Sequence, residues 1–516
     1  MTALLLALLA LPLAGGAATL VPALGGRRAL WLGVAVTGAD LALAIALAAG
    51  FDLHRPAAMQ AVTDVAWIPA LNVRFHLGVD GISLPLLVLT ALLTFLCSIY
   101  SLRKLPAGGS ERAWTGLLLL LATGMLATFA VLDLLLFFLA FEIVLVPMYF
   151  LIARWGGENR GPAAFRFILY TLLGSAVMLL GLLLLGLKGG TFDMTALAAH
   201  HGLGLSRGTQ VIVVLAIGLG LAVKSPMWPF HSWLPDAHTA APTAGSVLLA
   251  GVLLKMGTYG FVRVLIPSAP LGMHTLAPYL GAFAVVGILY GSLACLALVR
   301  PGAKGDLKRL IAYSSVGHMG FVLLGIATLT ATGINGALFA NIGHGLITGL
   351  LFFLVGAVKD RYGTADLDAL AGAGADSGAA LYGRLPRLGG LLAFAAVASL
   401  GLPGLAGFWG ELLAMLGSFQ PAAGLSRPTF LTLMALAGLG TLLTAAYLLS
   451  VVRRVCMGDP ALESPATAKA PALLDVRGYE AAAWTPLVVL TVVAGLWPAL
   501  LLSLTTPAVK ALLGGS

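Results

Sequence analysis

Six ionisable residues lie inside long apolar stretches of the sequence, where charged groups are rare. They are Glu142, Lys224, Lys255, His318, His344 and Glu411. A charged side chain at the centre of a bilayer costs about 3 kcal/mol even on lenient scales, so each of these groups needs a partner or a function. Carboxylates and ammonium groups can pair, and histidine exchanges protons near neutral pH. A row of such groups is what a proton relay needs, although any single one could instead form a structural hydrogen bond between two helices.

Other kinds of chemistry lack their sequence signatures. We find no Walker loop, no GxGxxG motif after a strand and no nucleophile elbow. Cys97, Cys295 and Cys456 are far apart, without the spacing of a metal cluster or a c-type haem. His318 and His344 could ligate a haem from adjacent helices, provided that a roomy pocket lies between them. We therefore expect no cofactor and no metal in this chain, and the energy for proton transfer must come from outside it.

The composition is typical of a membrane protein. Of 516 residues, 60% are hydrophobic and only 9% are charged, whereas a soluble domain has about 25% charged residues. The apolar residues form runs of about twenty, the length of a transmembrane helix, and not the alternating pattern of a β-barrel. We predict an all-α polytopic membrane protein. Its net charge of +9 belongs to loop residues, so the bilayer and not nucleic acid is the expected partner.

The apolar runs predict about fourteen transmembrane helices. They cover 3–24, 29–50, 79–102, 113–132, 134–153, 163–187, 209–225 (continuing brokenly to 241), 243–266, 275–299, 309–331, 335–358, 388–418, 428–452 and 482–506. The first run has no basic region before it, so it is expected to span rather than to be a cleaved signal peptide. Between the helices, we expect a hairpin in 51–78 and an interfacial helix in 188–208.

The positive residues fall mainly in loops on one side of the membrane. With the N-terminus outside, the inside loops are 27–28, 103–112, 154–166, 300–309, 359–387 and 453–477. They hold roughly three times as many Lys and Arg residues as the outside loops, which satisfies the positive-inside rule. This asymmetry predicts both termini outside. Lys224 and Lys255 belong to no loop.

Proline and glycine interrupt two of the hydrophobic runs, at 225–235 and at 402–411. Proline removes a backbone donor and clashes with the preceding turn, so both stretches should unwind. Unwound backbone persists at membrane depth only inside protein or beside water. Two breaks about 175 residues apart favour inverted repeats around a transport path, although two ordinary proline kinks would look similar.

These features predict four regions. Residues 1–112 hold helices 1–3, residues 113–266 form a first five-helix repeat (helices 4–8), and residues 275–454 form a second (helices 9–13). Residues 455–516 form a loop and helix 14. Helices 7 and 12 are the discontinuous ones.

The sequence resembles the antiporter-like membrane subunits of respiratory complex I. The resemblance runs from about residue 79 to 411 and is most specific between Lys224 and Lys255. The matching stretches are 79–85, 141–142 with 147–149, 167–175, 224–255, 306–309 with 312–315, 318–320, and 401–404 with 408–411.

The resemblance implies fourteen helices with inverted repeats, and a role for each of the six residues. Glu142 and Lys224 would form an ion pair, and Lys255 would be the central lysine. His318 and His344 would follow as relay histidines, with Glu411 as the exit. In related chains the residue after the second break is usually lysine, so glutamate at 411 narrows the resemblance to one chain of complex I.

The resemblance also implies partners and location. FMN, iron–sulfur clusters and quinone would be bound by partner subunits, and chains L and N would be neighbours in a bacterial-type inner membrane. Quinone reduction elsewhere would drive proton translocation through the relay, in the order Lys224, Lys255, His318, His344 and Glu411. The alternatives are a subunit of a multi-subunit cation/proton antiporter, a membrane-bound hydrogenase subunit and a purely structural subunit of the respiratory complex.

Overall fold

The chain folds mostly into helices in a computed structural model, which describes residues 1–371, 379–458 and 474–514. Lys469, which the sequence assigns to the last inside loop, lies outside the described residues. The first half contains α1 (Thr2–Ala18), α2 (Arg27–Ala49), β1 (Gln60–Ile68), β2 (Val73–Val79), α3 (Ser83–Ser101), α4 (Glu111–Ala130), α5 (Leu134–Ile143), α6 (Leu145–Trp155), α7 (Arg160–Gly189), α8 (Met194–His200), α9 (Arg207–Lys224) and α10 (Trp233–Ala240).

The second half begins with a long helix that alternates between α and π geometry. The elements are α11 (Thr243–Ser268), α12 (Pro270–Val299), α13 (Leu307–Ala327), α14 (Ala331–Tyr362), α15 (Leu367–Ala371), α16 (Leu381–Arg384), α17 (Pro386–Ser399), α18 (Ala406–Phe419), α19 (Arg427–Cys456), α20 (Gly478–Leu496) and α21 (Ala499–Leu512).

Within the described residues, 12 helices are long and apolar enough to cross a membrane, with α5 and α6 counted as one span. This confirms the polytopic helical class. The exact count of fourteen stays a prediction, because α1 has only 17 residues and the predicted twelfth span consists of two 14-residue helices, α17 and α18. The four predicted regions likewise remain a prediction.

The segments between the spans contain the two smaller elements that the sequence suggests. The strands β1 and β2 pair antiparallel, with Thr63 opposite Leu77, and form the hairpin expected in 51–78. The helix α8 lies in the expected stretch 188–208; its placement at the membrane interface stays a prediction.

Two predicted boundaries are wrong, and proline explains one of them. The run 482–506 is not one helix, since α20 ends at Leu496 and α21 begins at Ala499. Trp497, which precedes Pro498, has φ −128° and ψ 70°, because the proline ring disfavours helical geometry in the residue before it. In the second break the helix resumes at Ala406. Glu411 therefore follows the break, as predicted, but lies within α18.

Two loop–helix junctions are built alike and support the predicted repeats. Asp133 caps α5 and pairs with Asp193 in an antiparallel bridge; Asp306 caps α13 and pairs with Asp366 in the same way. Asp193 and Asp366 each accept a hydrogen bond from the amide three residues later, at 2.8 Å. The partners are separated by equal lengths of chain in both bridges, which is the expected trace of a duplicated unit.

Three helices form the interior and carry three of the six predicted residues. The α11 span is completely buried, and α14 and α13 are nearly so, at 94% and 89%. Lys255 lies on α11, His318 on α13 and His344 on α14. Two π-helical stretches, Leu249–Leu253 and Phe261–Leu265, flank the segment of Lys255. Such π-bulges are rare and concentrate at functional sites.

Glycines allow α11 and α14 to approach closely beside these side chains. A Cβ atom added to Gly345 would lie 2.9 Å from the backbone oxygen of Gly251. Small residues at helix interfaces are the usual means of close packing in membranes. The backbones can therefore come near enough for Lys255 and His344 to meet.

The packing of α18 on α14 provides a test of the fold. A Cβ on Gly410, next to Glu411, would lie 2.7 Å from the Cα of Ala340, whereas one on Gly390 in α17 would meet nothing within 4 Å. We expect Gly410→Ala to destabilise the protein by about 1–3 kcal/mol through overpacking. The measurement is the thermal unfolding midpoint in detergent. Gly390→Ala is the matched control and should leave the midpoint unchanged; equal midpoints for both variants would contradict the packing.

Candidate functional site: a buried row of ionisable side chains

Lys255 and His344 are in direct contact at the centre of the protein. The Nζ atom of Lys255 lies 2.7 Å from Nδ1 of His344 and also donates a hydrogen bond to the carbonyl oxygen of Ala250. Lys255 is fully buried, and Nε2 of His344 has no hydrogen-bond partner among the described residues. An ammonium group that donates to an unprotonated imidazole nitrogen shares one transferable proton with it. This contact is therefore suited to proton transfer.

His318 and Glu411 continue the row on the far side of His344. The rings of His318 and His344 are 5.6 Å apart between centroids. Nδ1 of His318 lies 3.4 Å from Oε1 of Glu411. The spatial order is thus Lys255, His344, His318 and Glu411, and the predicted order with His318 first is wrong. Position along the chain does not determine which of two neighbouring helices packs nearer to α11.

Two hydroxyl groups that were not predicted from the sequence form hydrogen bonds with His318 and Glu411. The Oγ atom of Ser399 lies 3.0 Å from Nε2 of His318, and Thr441 donates a hydrogen bond of 3.3 Å to Oε2 of Glu411. Ser399 is the last residue of α17 before the break, so a polar residue at the edge of an unwound segment was an available signal. Thr441 lies within an ordinary apolar helix, so the sequence around it gave no such signal.

A small cavity fills the gap between the two histidines. It has about 20 Å³ of room for the centre of a water molecule and is lined by His318, His344, Thr348, Ser399 and Glu411. A single water needs about 10–15 Å³ measured in this way and two or more polar partners. The space therefore suits a bridging water. It is far too small for a haem, so the two histidines do not fit that ligand.

Glu142 and Lys224 lie at the other end of the site as neighbours without direct contact. Lys224 is the last residue of α9, and its Nζ lies 4.8 Å from the centre of the Phe141 ring. Both Nζ of Lys224 and Oε1 of Glu142 are buried without a hydrogen-bond partner among the described residues. The charges of Glu142 and Lys224 interact with each other, and Ser175 lies beside the carboxylate. The predicted ion pair thus remains a prediction.

His238 is a candidate that the six predicted residues omit. It is completely buried on α10, and both of its ring nitrogens lack partners in the described part of the chain. Its ring stacks on Phe352 at 4.5 Å between centroids, within reach of the charges of Lys255 and Lys308. The sequence signal was a histidine beside the first break.

Lys308 differs from its predicted place in an inside loop. It is only 5% exposed, on the first turn of α13, and its Nζ donates a hydrogen bond of 2.8 Å to the carbonyl oxygen of Ala241. Lys308 faces the interior from this turn, whereas the next residue, Arg309, is exposed. The loop assignment is therefore wrong, and a buried cation stands near His238.

A large polar cleft opens at the face predicted to be inside. Its volume is about 650 Å³, and its walls include Glu158, Arg166, Asp236, Arg309 and Lys359. Asp236 forms an ion pair with Arg166 and lies 3.6 Å from a guanidinium nitrogen of Arg309. The wall of the cleft also includes Thr239, the residue after His238, and Arg309 directly follows Lys308, so the cleft borders the segments that carry these two buried groups.

The described residues contain no group of three or more His, Cys, Asp or Glu side chains arranged to hold a metal ion. The observed arrangement instead provides donors and acceptors of protons in sequence, together with space for water. Such an arrangement is suited to acid–base exchange.

Comparison with known sequences identifies relatives over nearly the whole length. Residues 131–440 match the family model described as NADH:quinone oxidoreductase/Mrp antiporter, TM. The chain is 40% identical over 514 residues to NADH-quinone oxidoreductase subunit M of Rhodobacter capsulatus, covering 97% of this chain and 94% of that protein. It is 36% identical to NAD(P)H-quinone oxidoreductase chain 4-1 of Synechocystis, covering 96% and 90%.

Solved structures have the same fold. A chain of respiratory complex I from Thermus thermophilus with bound NADH is 30% identical, with a TM-score of 0.83 over 99% of this chain and 100% of that one. A chain of the Mrp complex from Dietzia is 25% identical, with a TM-score of 0.81 over 99% of this chain and 52% of that one.

Proposed function

We propose a route for protons from the premise that this chain belongs to the NADH:quinone oxidoreductase/Mrp antiporter transmembrane family. It is a proton-translocating, multi-pass membrane subunit of NADH:quinone oxidoreductase, respiratory complex I, of the subunit M type. Other membrane subunits of that complex are its partners, and the redox cofactors of the complex lie in other subunits.

Finer details belong to the proposal. Chains L and N are the neighbouring subunits, and FMN, iron–sulfur clusters and quinone are bound elsewhere in the complex. The chain lies in a bacterial-type inner membrane with both termini outside, as its excess of inside Lys and Arg residues supports. The redox reaction at a distance supplies the energy.

In the first step of the route, Glu142 moves away from Lys224. Nζ of Lys224 and Oε1 of Glu142 are buried without a hydrogen-bond partner among the described residues, so the two charges act strongly on each other. When a neighbouring subunit draws Glu142 away, the ammonium of Lys224 loses its stabilising charge and releases its proton. Glu142 therefore controls when Lys224 gives up a proton.

The proton then reaches Lys255 and crosses to His344. His238 lies near Lys255 with both ring nitrogens unpartnered in the described structure, which makes it the candidate link from the first half of the site. The cleft and Lys308 offer access to the same histidine from the inside face. The single observation that carries the proposal is the 2.7 Å contact between Lys255 and His344.

The last steps run from His344 to the outside. In this proposal a water in the small cavity links His344 to His318, and His318 passes the proton to Glu411 across 3.4 Å. Moving one charge against a membrane potential costs about 2.3 kcal/mol per 100 mV. If Glu142 and Lys224 close into an ion pair, breaking that pair costs about 3–5 kcal/mol, which is sufficient to drive the step.

A subunit of a cation/proton antiporter is the second candidate, because the Mrp complex shares the fold. Copurification distinguishes the two. A tagged chain, purified in mild detergent, should carry NADH:quinone reductase activity that rotenone or piericidin inhibits. Absence of this chain from an intact, active complex would contradict the proposal, and sodium/proton exchange in vesicles would then be measured.

Glu142→Gln tests the first step. The amide keeps the size of the side chain but removes its charge, so Lys224 loses its partner. We expect NADH-driven proton pumping to fall about tenfold or more, equivalent to about 1.4 kcal/mol, with the complex still assembled. The measurement is proton uptake by proteoliposomes per NADH oxidised. Full pumping by the assembled variant would refute the role of Glu142.

Two substitutions of Lys255 test the central step. Lys255→Ala removes the transferable proton and should abolish most pumping, since no group then faces Nδ1 of His344. Lys255→Arg keeps a charged donor and should retain part of the activity. Wild-type pumping by both variants, in complexes assembled to normal amounts, would exclude a relay function for this lysine.

A further inference from the structure

A second cavity approaches the relay from the face predicted to be outside. Its volume is about 240 Å³, and its walls come from the segments 57–59, 194–201 and 508–512 together with Asp80 and Arg263. The proposed route, which leaves through Glu411, makes no use of it. A cavity of this size holds several waters, so protons on the outside face have access to Arg263.

Arg263 stands between this cavity and Lys255. Both residues belong to α11, with Tyr259 midway between them, and eight residues of helix span about 12 Å. Side chains four residues apart lie on the same side of a helix. Tyr259 and Lys255 are both fully buried, and Arg263 is 6% exposed. One continuous helix face therefore leads from the outer cavity to the central lysine.

The hydrogen bonds of Arg263 fix it across this face. Its Nη2 lies 2.5 Å from Oδ1 of Asp80, and its Nε donates to the hydroxyl of Tyr259 at 3.2 Å. Asp80 in turn accepts bonds of 3.0 Å from the amides of Ile82 and Ser83. The guanidinium is thus held by a carboxylate that is itself anchored to the backbone.

With Arg263 in place, the Tyr259 hydroxyl is the last group of this hydrogen-bond network and passes no proton on. It accepts a hydrogen bond from Arg263 and donates its own hydrogen to the carbonyl oxygen of Phe129 at 3.3 Å. A backbone carbonyl has no proton to pass on. While the guanidinium of Arg263 occupies its oxygen, the phenol therefore offers no onward path between the cavity and Lys255.

We propose that Arg263, held by Asp80 and Tyr259, is an electrostatic barrier that prevents protons in the outer cavity from returning to Lys255. A guanidinium stays protonated in proteins, so it cannot relay a proton, and its fixed positive charge repels hydronium. Arginine serves the same purpose in channels that exclude protons. The inference rests on the proposed relay function of Lys255.

The barrier makes the proposed route one-directional in space. A proton that leaves Lys255 can move to His344, which accepts it. It cannot move along α11, because the fixed positive charge of Arg263 repels it. Without the cation, a proton delivered to the outside would have a short return path of about 12 Å. The membrane potential would then dissipate through this subunit even when no NADH is oxidised.

Passive proton leak in proteoliposomes of the whole complex, without NADH, tests the barrier. A potential is imposed with potassium and valinomycin, and proton entry is followed with an internal pH dye. The double variant Arg263→Gln/Asp80→Asn removes the cation without leaving an unpaired buried charge. We expect its leak to rise about tenfold or more over that of the wild type. The single variant Arg263→Gln gives a second measurement if the double variant assembles poorly.

Two control variants separate a barrier from a merely structural ion pair. Asp80→Asn alone breaks the pair but keeps the cation, so the leak should stay low. Glu480→Gln disrupts another buried ion pair, in which Nη2 of Arg361 lies 2.7 Å from Oε2 of Glu480, and should also leave the leak unchanged. Wild-type leak after loss of Arg263, or equal leak in all these variants, would overturn the proposal.

Adding Lys255→Ala to the leaky variant tests the path. The extra leak should disappear if protons return through Lys255; leak that persists would overturn the proposed barrier. NADH-driven pumping in the Lys255→Ala single variant reports separately on the proposed function. Lost pumping without any leak in the Arg263 variants would refute only the barrier, whereas full pumping would refute the relay itself.

Discussion

A charged group in the interior of a membrane protein must find a partner, and the structure is organised around one such contact. Lys255 and His344, both buried, meet at 2.7 Å. Coulomb interactions are much stronger in this low-dielectric interior than in water, so small changes in distance or charge move protons. The same strength makes an unpartnered buried charge costly. Lys224 and His238, which have unpartnered nitrogens in the described structure, are therefore sensitive to the charges of their neighbours.

The helices satisfy this constraint by placing the site where lipid cannot reach it. The spans α11, α13 and α14 are the most buried ones, and Gly251 and Gly345 let two of them approach. The breaks in the predicted helices 7 and 12 place polar side chains inside the protein, because unwound backbone at membrane depth is tolerated only within protein or beside water. Ser399 at the edge of one break and His238 beside the other are examples. The surrounding helices then mainly separate this interior from the bilayer.

The fold class and the candidate site residues could be predicted from the sequence more completely than the arrangement of those residues in space. Apolar runs of membrane-spanning length and ionisable residues within them are local signals, so most spans and all six candidates could be named. Spatial order is not local, and His344 rather than His318 meets Lys255 because of how α14 packs. The burial of Lys308 depends on packing against a distant segment, where its Nζ donates to the carbonyl oxygen of Ala241. The site at Arg263 and Asp80 joins distant segments, a pairing that a single sequence does not encode.

The central claim is that Lys255 and His344 perform one shared step. A double-mutant cycle on the number of protons pumped per NADH tests it, using Lys255→Ala, His344→Gln and both together in proteoliposomes. Residues that act as one unit are strongly non-additive. The account predicts that the double variant pumps no worse than the poorer single variant. Two partial losses that multiply in the double variant would mean that the residues act independently, and would contradict a direct proton transfer between them.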